Sequence, residues 1–281
     1  MIDNNEITFA HSPDADDAFM FYGLAKEIVK IGNYKIGHLM NDIQTLNEKS
    51  LEGELKVTAI SAAHYTKVSK FYRIMSCGSS IGRKYGPIVV SKKNINVNDL
   101  LGKKVAIPGE NTTSWMLYQI FCTTEIEPIF VDFDQVEKLV ESDEVDAGIL
   151  LHEGQVLYEK WGLKKVIDLG ETWFESTGLP IPLGLDIVNR NLGDDLSFKI
   201  AKALKDSVEY AIANEDAALD YALGYGRGIK KEDGRKFVRM YVNQDTVDMG
   251  KEGERALEKL FSMAYDKKII KSMPKLDFVR V

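Results

Sequence analysis

The chain has 281 residues, with 36 Lys and Arg against 43 Asp and Glu and a formal net charge of −7. That balance excludes a sequence-independent nucleic-acid binder, which needs a basic surface to neutralise phosphates. Hydrophobic residues make up 44% of the chain, enough for the interior of one or two globular domains, and no segment approaches the ~18 uninterrupted apolar residues of a membrane helix. The opening Met1-Ile2-Asp3-Asn4-Asn5-Glu6 has neither a basic n-region nor a long apolar run, so a cytoplasmic protein is expected. The two cysteines, Cys77 and Cys122, lack neighbours at metal-ligand spacing and read as buried apolar packers.

Glu6 to Ala10 reads as a strand, followed by the acidic turn His11 to Asp17 and an apolar helix from Ala18 to about Val29. Leu55 to Ile60 is a second strand, leading through Ser61-Ala62-Ala63-His64-Tyr65 into a helix, and Gly86-Pro87-Ile88-Val89-Val90 a β-rich run. From Asp99 a new α/β unit begins. Val105 to Ile107 forms a strand, and Thr112-Thr113-Ser114 caps a helix carrying Trp115, Met116, Leu117 and Ile120. Further strands lie at Ile129 to Phe133, Ala147 to Leu151 and Val166 to Leu169, with a helix between Asp134 and Ser142. Leu183 to Val188 is another strand, and the remainder is mostly helix from about Asp195 to Tyr265.

The expected architecture is α/β with two lobes. Residues 92–184 form a smaller domain inserted into a discontinuous larger one made of residues 1–91 and 185–281. Two crossings between lobes make a hinge, and the cleft between the lobes is the ligand site.

Four segments converge on that cleft if each ends a strand: Ser12 to Asp17, Ser61 to Tyr65, Pro108 to Ser114, and His152 to Gln155. His152 ends the apolar run Ala147 to Leu151, where a histidine suits proton transfer; on this segment alone it serves equally well as a helix cap. The hydroxyls and free N–H groups of Thr112, Thr113 and Ser114 suit a carboxylate, and equally suit plain capping. Asp14, Asp16 and Asp17 lack the spaced ligands of a calcium loop, so one is read as a helix cap with the others in solvent, and no metal is expected. His11 and His64 are assigned structural roles, and His38 a surface segment. Gly78 to Pro87 lacks phosphate-loop spacing and is read as cleft wall.

Together these segments resemble the menaquinone-biosynthesis family of the futalosine pathway. The resemblance is carried by Ser12-Pro13 through Asp17, Phe19 and Phe21, Asp42 to Asn47, Tyr85-Gly86-Pro87, Ile107-Pro108-Gly109 with Thr112-Thr113, and Gly148 through Gly154. It implies a two-lobed fold like that of type II periplasmic binding proteins, used as a cofactor-independent lyase. That lyase breaks cyclic dehypoxanthine futalosine to release 1,4-dihydroxy-6-naphthoate. It also implies His152 as the base and Asn47, Ser61, Thr113 and Ser114 as pocket residues; Ser12, Asp16, Asp17, Gly86 and Thr112 complete the candidate substrate-binding set. The expected partner is a small carboxylate substrate, with a homodimer left open. The family's Ser-Pro-Cys-Pro-Asn-Asp-Thr-Phe reads here as Ser12-Pro13-Asp14-Ala15-Asp16-Asp17-Ala18-Phe19, with an acid for the amide and Ala18 for the hydroxyl. Ser61-Ala62-Ala63-His64 likewise replaces Ser-Phe-His-Ala. The alternatives are the sister chorismate dehydratase, which His152-Glu153-Gly154 disfavours, and a non-catalytic small-anion binding protein.

Overall fold

The computed structural model describes residues 5–226 and 228–281. In chain order the elements begin with β1 (Glu6–His11), α1 (Ala15–Met20), α2 (Tyr22–Ala25), β2 (Lys35–Met40), α3 (Ile43–Ser50) and β3 (Val57–Ser61). They continue with α4 (Tyr65–Val68), β4 (Tyr72–Met75), β5 (Ser80–Gly82), β6 (Ile88–Ser91), β7 (Lys104–Ile107) and α5 (Thr113–Phe121). Next come β8 (Glu127–Phe130), α6 (Val136–Glu141), β9 (Ala147–Leu150), α7 (Gly154–Leu157), β10 (Lys164–Asp168), α8 (Leu169–Thr177) and β11 (Ile181–Asn189). The chain ends in α9 (Gly193–Ala213), α10 (Glu215–Ala222), α11 (Lys231–Tyr241), α12 (Gln244–Val247), α13 (Gly250–Asp266) and β12 (Phe278–Val279).

Among the described residues the strands form two mixed sheets. The first has the order β12-β4-β11-β3-β1-β2 with β5 also on β11; the second is β10-β6-β9-β7-β8. β1 runs parallel to both β2 and β3, whereas β11 runs antiparallel to β3 and β4. The chain leaves the first sheet between Gly82 and Ile88 and returns between Asp168 and Ile181, a few residues before the expected limits at 91 and 185. One apolar cluster spans both sheets, joining Ile60, Ile74 and Ile187 to Val89, Val105 and Ile149.

The buried runs explain the central strands: every residue of β3, β6 and β9 is buried, which their unbroken apolar or small sequences allow. β2 is an edge strand with no fully buried residue, so its Lys35-Ile36-Gly37-His38-Leu39-Met40 sequence carries no apolar run. His38 accordingly lies on a partly exposed edge, in keeping with its reading as a surface segment. The expected helix from Ala18 to Val29 is two shorter helices: Asp14 caps the first by accepting from the Asp17 N–H, and the run breaks at Phe21. The carboxyl-terminal helices add no second α/β unit; Ile200, Leu204 and Val208 of α9 bury one face in the core beneath β1, α1 and α2.

Gly86 and Gly170 meet backbone to backbone where the chain enters the second sheet. A Cβ on Gly170 would lie 2.1 Å from the Tyr85 carbonyl carbon and 2.3 Å from the Gly86 nitrogen, atoms that no rotamer change can move. Gly170→Ala is therefore expected to cost about 2 kcal/mol in denaturant unfolding, the scale of overpacking. Unchanged stability would show that the Tyr85–Gly86 segment yields freely.

Candidate active site

Four strand ends meet at one cavity that encloses roughly 710 Å³ of space, part of it open to solvent. Ser12 to Asp17 follow β1, Ser61 ends β3, Thr112 to Ser114 follow β7, and His152 follows β9. β11 contributes Leu183 to Asp186, and α11 contributes Phe237 and Tyr241, which lie one helical turn apart on the same face. Gly78, Ser80 and Pro87 supply wall, as expected of their segment.

Of the candidate binding residues, Ser12, Asp16, Asp17, Ser61, Thr112, Thr113 and Ser114 all line this cavity. Two do not. Asn47 stands behind Ser61, donating from Nδ2 to Ser61 Oγ at 3.1 Å and accepting the Ser61 N–H at 2.9 Å, so it orients that hydroxyl. Gly86 is held against Gly170 away from the cavity, and its role is close backbone approach. Thr112 caps α5, its Oγ1 accepting the Trp115 N–H and lying 3.0 Å from Ser114 Oγ. Thr113 Oγ1 accepts from the Ala63 N–H and donates to the Leu183 carbonyl, bridging the strand ends.

His152 is centred in this arrangement. It adopts a left-handed backbone with φ 48°, which turns the chain sharply out of β9 and lays its ring edge-on to Phe133, 4.8 Å between centroids. Its Nδ1 lies 3.1 Å from Asp14 Oδ2, and its Nε2 has no hydrogen-bond partner among the described residues. A neutral imidazole held this way carries its proton on Nδ1 and its lone pair on Nε2, the arrangement of an oriented base. The reading of His152 as a mere helix cap does not account for that partner: α7 has no side-chain cap.

The acidic turn differs from expectation. Asp14 does cap α1, but Asp16 and Asp17 are buried and not in solvent, because α1 packs beneath α10 and α11. Burial raises the Asp14 carboxyl, but His152, the nearby Asp16 and Ser12 side chains and the Asp17 N–H outweigh it and hold Asp14 below the usual range. Burial, followed by the charges of Asp14 and Asp17, pushes Asp16 well above it. Burial, with Asp14 and Asp186 nearby, does the same to Asp17, although the Ser12 N–H donates to it at 2.7 Å. Asp186, on β11, is raised by burial to about 8. The fold also gives Asp14 and Asp16 a third ligand-type neighbour that the turn's spacing lacks: one atom each from Asp14, Asp16 and His152 lie within 4.8 Å of one another.

The other histidines sit apart from the cavity lining. His11 stacks on Phe21 and shares a 3.0 Å contact with His38, and His64 bonds Ser50 Oγ at 3.1 Å. Burial lowers His11 and His64 to about 4, so both are neutral structural groups. Cys77 and Cys122 are free and buried.

Two sheets joined by two crossings, with strand ends from both meeting at one cavity that His152 lines, have the fold of the periplasmic binding proteins. The sequence profile described as menaquinone biosynthesis matches residues 7–266, and the chain belongs to that family. A Thermus thermophilus protein named 1,4-dihydroxy-6-naphthoate synthase is 36% identical over 95% of this chain and 97% of its own length. A Streptomyces coelicolor protein of the same name is 31% identical over 92% of each. The crystal structure of an Archaeoglobus fulgidus protein aligns with TM-score 0.91 and 42% identity, covering 95% of this chain and 100% of its own. The alkanesulfonate-binding protein of Xanthomonas axonopodis pv. citri, bound to MOPS, aligns with TM-score 0.74 at 9% identity over 100% of both chains, a likeness of fold alone. Among the described residues no helix is long and apolar enough to cross a membrane.

Proposed function

We propose that this chain converts cyclic dehypoxanthine futalosine to 1,4-dihydroxy-6-naphthoate, with His152 Nε2 as the base. The observation that carries the reading is His152 itself: it lines the cavity, with Nδ1 against Asp14 and Nε2 unpartnered among the described residues. The names of the two relatives, each matched over nearly its whole length, support the reaction.

Nε2 removes a proton beside a carbonyl of the bound molecule. The electron pair left on carbon forms a ring double bond as the carbon–carbon bond to the sugar portion breaks; the pair of that bond leaves with the sugar portion, which takes back a proton from the imidazolium, and aromatisation drives release. The imidazolium formed lies against the Asp14 carboxylate, which stabilises it. Ser61, oriented by Asn47, and the backbone N–H groups of Thr113 and Ser114 at the amino end of α5 offer donors to a carboxylate. The segment between the two sheet crossings acts as the smaller lobe, closing over the substrate. The compartment this reading implies is the cytoplasm.

The test is incubation of the purified protein with cyclic dehypoxanthine futalosine and, separately, with chorismate, following products by absorbance and mass. Naphthoate from the first alone is expected. Dehydration of chorismate would move the chain to the sister activity, and no product from either substrate would leave a binding protein.

A further inference from the structure

Asp233, Phe237 and Tyr241 stand four residues apart on α11 and so form one stripe along that helix. Each meets a residue of the segment that follows β9. Tyr241 donates its hydroxyl proton to Gln155 Oε1, the Phe237 and His152 rings lie 6.5 Å apart between centroids, and Asp233 Oδ2 accepts from Lys160 Nζ at 2.5 Å. One helix face therefore meets residues 152–160 at three points. The same helix packs on α1, whose N-cap is Asp14. Asp14 follows β1 of the first sheet and His152 follows β9 of the second, so their 3.1 Å contact joins the two halves of the chain beside α11.

The boundary between the halves is built differently on its two sides. Along α5, Met116, Leu117 and Ile120 share one apolar cluster with Leu257 and Leu260 of α13, and that cluster runs on from sheet to sheet. Along α11 there is a cleft instead. It holds roughly 1380 Å³ of space, part of it open to solvent, lined by Leu157 and Trp161 from one half and by Ile229 and Lys230 from the other. Both members of the Lys160–Asp233 pair line it too, and the lysine is 58% exposed. Parting an apolar cluster exposes its whole surface to water, whereas one hydroxyl bond and one solvent-screened ion pair part readily.

We propose that α11 is a clasp on residues 152–160, with Tyr241 and the Lys160–Asp233 pair as positioning residues for His152, a proposal that rests on His152 being the base of the reaction above. The free chain exchanges between an open form, parted along α11, and the closed form, and the clasp contacts set their ratio. Parting this seam draws His152 away from Asp14. The oriented base is therefore complete only in the closed form, and a molecule that binds without letting the seam shut meets no oriented imidazole. Closure then becomes part of substrate selection.

Lys160→Glu sets a second carboxylate against Asp233, outside the lining of the active cavity, and is expected to lower kcat/KM about 2- to 5-fold, the scale of an exposed pair. Adding Asp233→Lys returns the pair with its signs exchanged and should restore kcat/KM to within about twofold of the wild type. Tyr241→Phe removes only the hydroxyl and should cost about 2- to 10-fold. Cys77 and Cys122 are buried, so spin labels attached through Glu144→Cys and Glu209→Cys, exposed sites in opposite halves, report the separation of the halves. Without any ligand, Lys160→Glu should enlarge the long-distance population, and the exchanged pair should reverse that shift. Identical distance distributions in wild type and Lys160→Glu overturn the proposal whatever the turnover. So does an exchanged pair that stays as impaired as Lys160→Glu, since the loss then belongs to the lysine alone. If the wild type does not turn over cyclic dehypoxanthine futalosine, the functional reading fails, while the ligand-free distances still decide whether α11 is a clasp.

Discussion

Replacing His152 with Asn is expected to lower kcat by about 10²- to 10⁴-fold and to leave the melting temperature near that of the wild type. Asparagine tolerates the left-handed backbone that this position adopts, with φ 48°, and its amide can still donate to Asp14. What it lacks at neutral pH is a lone pair able to take a proton, so the loss reports the base and not the turn. His152→Ala is the harsher change, because it strands the buried Asp14 carboxylate without its imidazole partner and should also cost stability. Turnover and melting temperature measured side by side separate the two roles. A destabilised but fully active His152→Asn protein would remove the residue from the mechanism.

The parts of this site that were legible in the sequence are those that follow from strand ends. A short apolar run such as Ala147 to Leu150, closed by polar residues, reads as a buried strand, and whatever follows it is delivered to the carboxyl edge of the sheet; Ser12, Ser61 and His152 were all placed by that logic. What the sequence concealed was pairing across distance. Nothing local links Asp14 to His152, and the burial of Asp16 and Asp17 depends on α10 and α11, which return late in the chain to cover α1. Phe237 and Tyr241 look like an ordinary apolar helix face, because lining a cavity and filling a core use the same spacing. Missed elements have physical reasons too. β2 is an exposed edge, while β5 and β12 are three and two residues long, below any periodicity. The helix α8 did carry a signal: Asp168 caps it by accepting from Gly170 and Glu171, and Gly178 ends it with φ 68°.

Asp186 gives the second large effect, on stability. Buried on β11 with Oδ1 unpartnered among the described residues, its carboxyl moves from its ordinary 3.8 to about 8 because burial penalises the charge. A raised carboxyl binds its proton more tightly when folded. The stability it contributes is therefore complete below about pH 4 and is lost as pH rises toward 8, at ~1.4 kcal/mol per pH unit, on the order of 5 kcal/mol in all. Between pH 4 and 6.5 the buried neutral His11 and His64 work in the opposite sense. Both are lowered from 6.5 to about 4, so the stability they contribute is lost as pH falls through that interval and partly masks the slope. From 6.5 to about 7.5 the unfolded-state histidines finish losing their protons and offset part of the carboxyl slope; above that they are neutral folded or unfolded, and the carboxyl effect, reinforced in direction by Asp16 and Asp17, is no longer masked. Denaturant unfolding should therefore show stability falling by about 2 kcal/mol from pH 6.5 to 8 through Asp186. Asp186→Asn keeps the shape without the charge and should flatten this slope, leaving the variant more stable than the wild type at pH 8.5 and above. If the variant and the wild type lose stability in parallel across that window, Asp186 is ionised in the folded protein at neutral pH, and the cavity floor carries a charge that this account denies it.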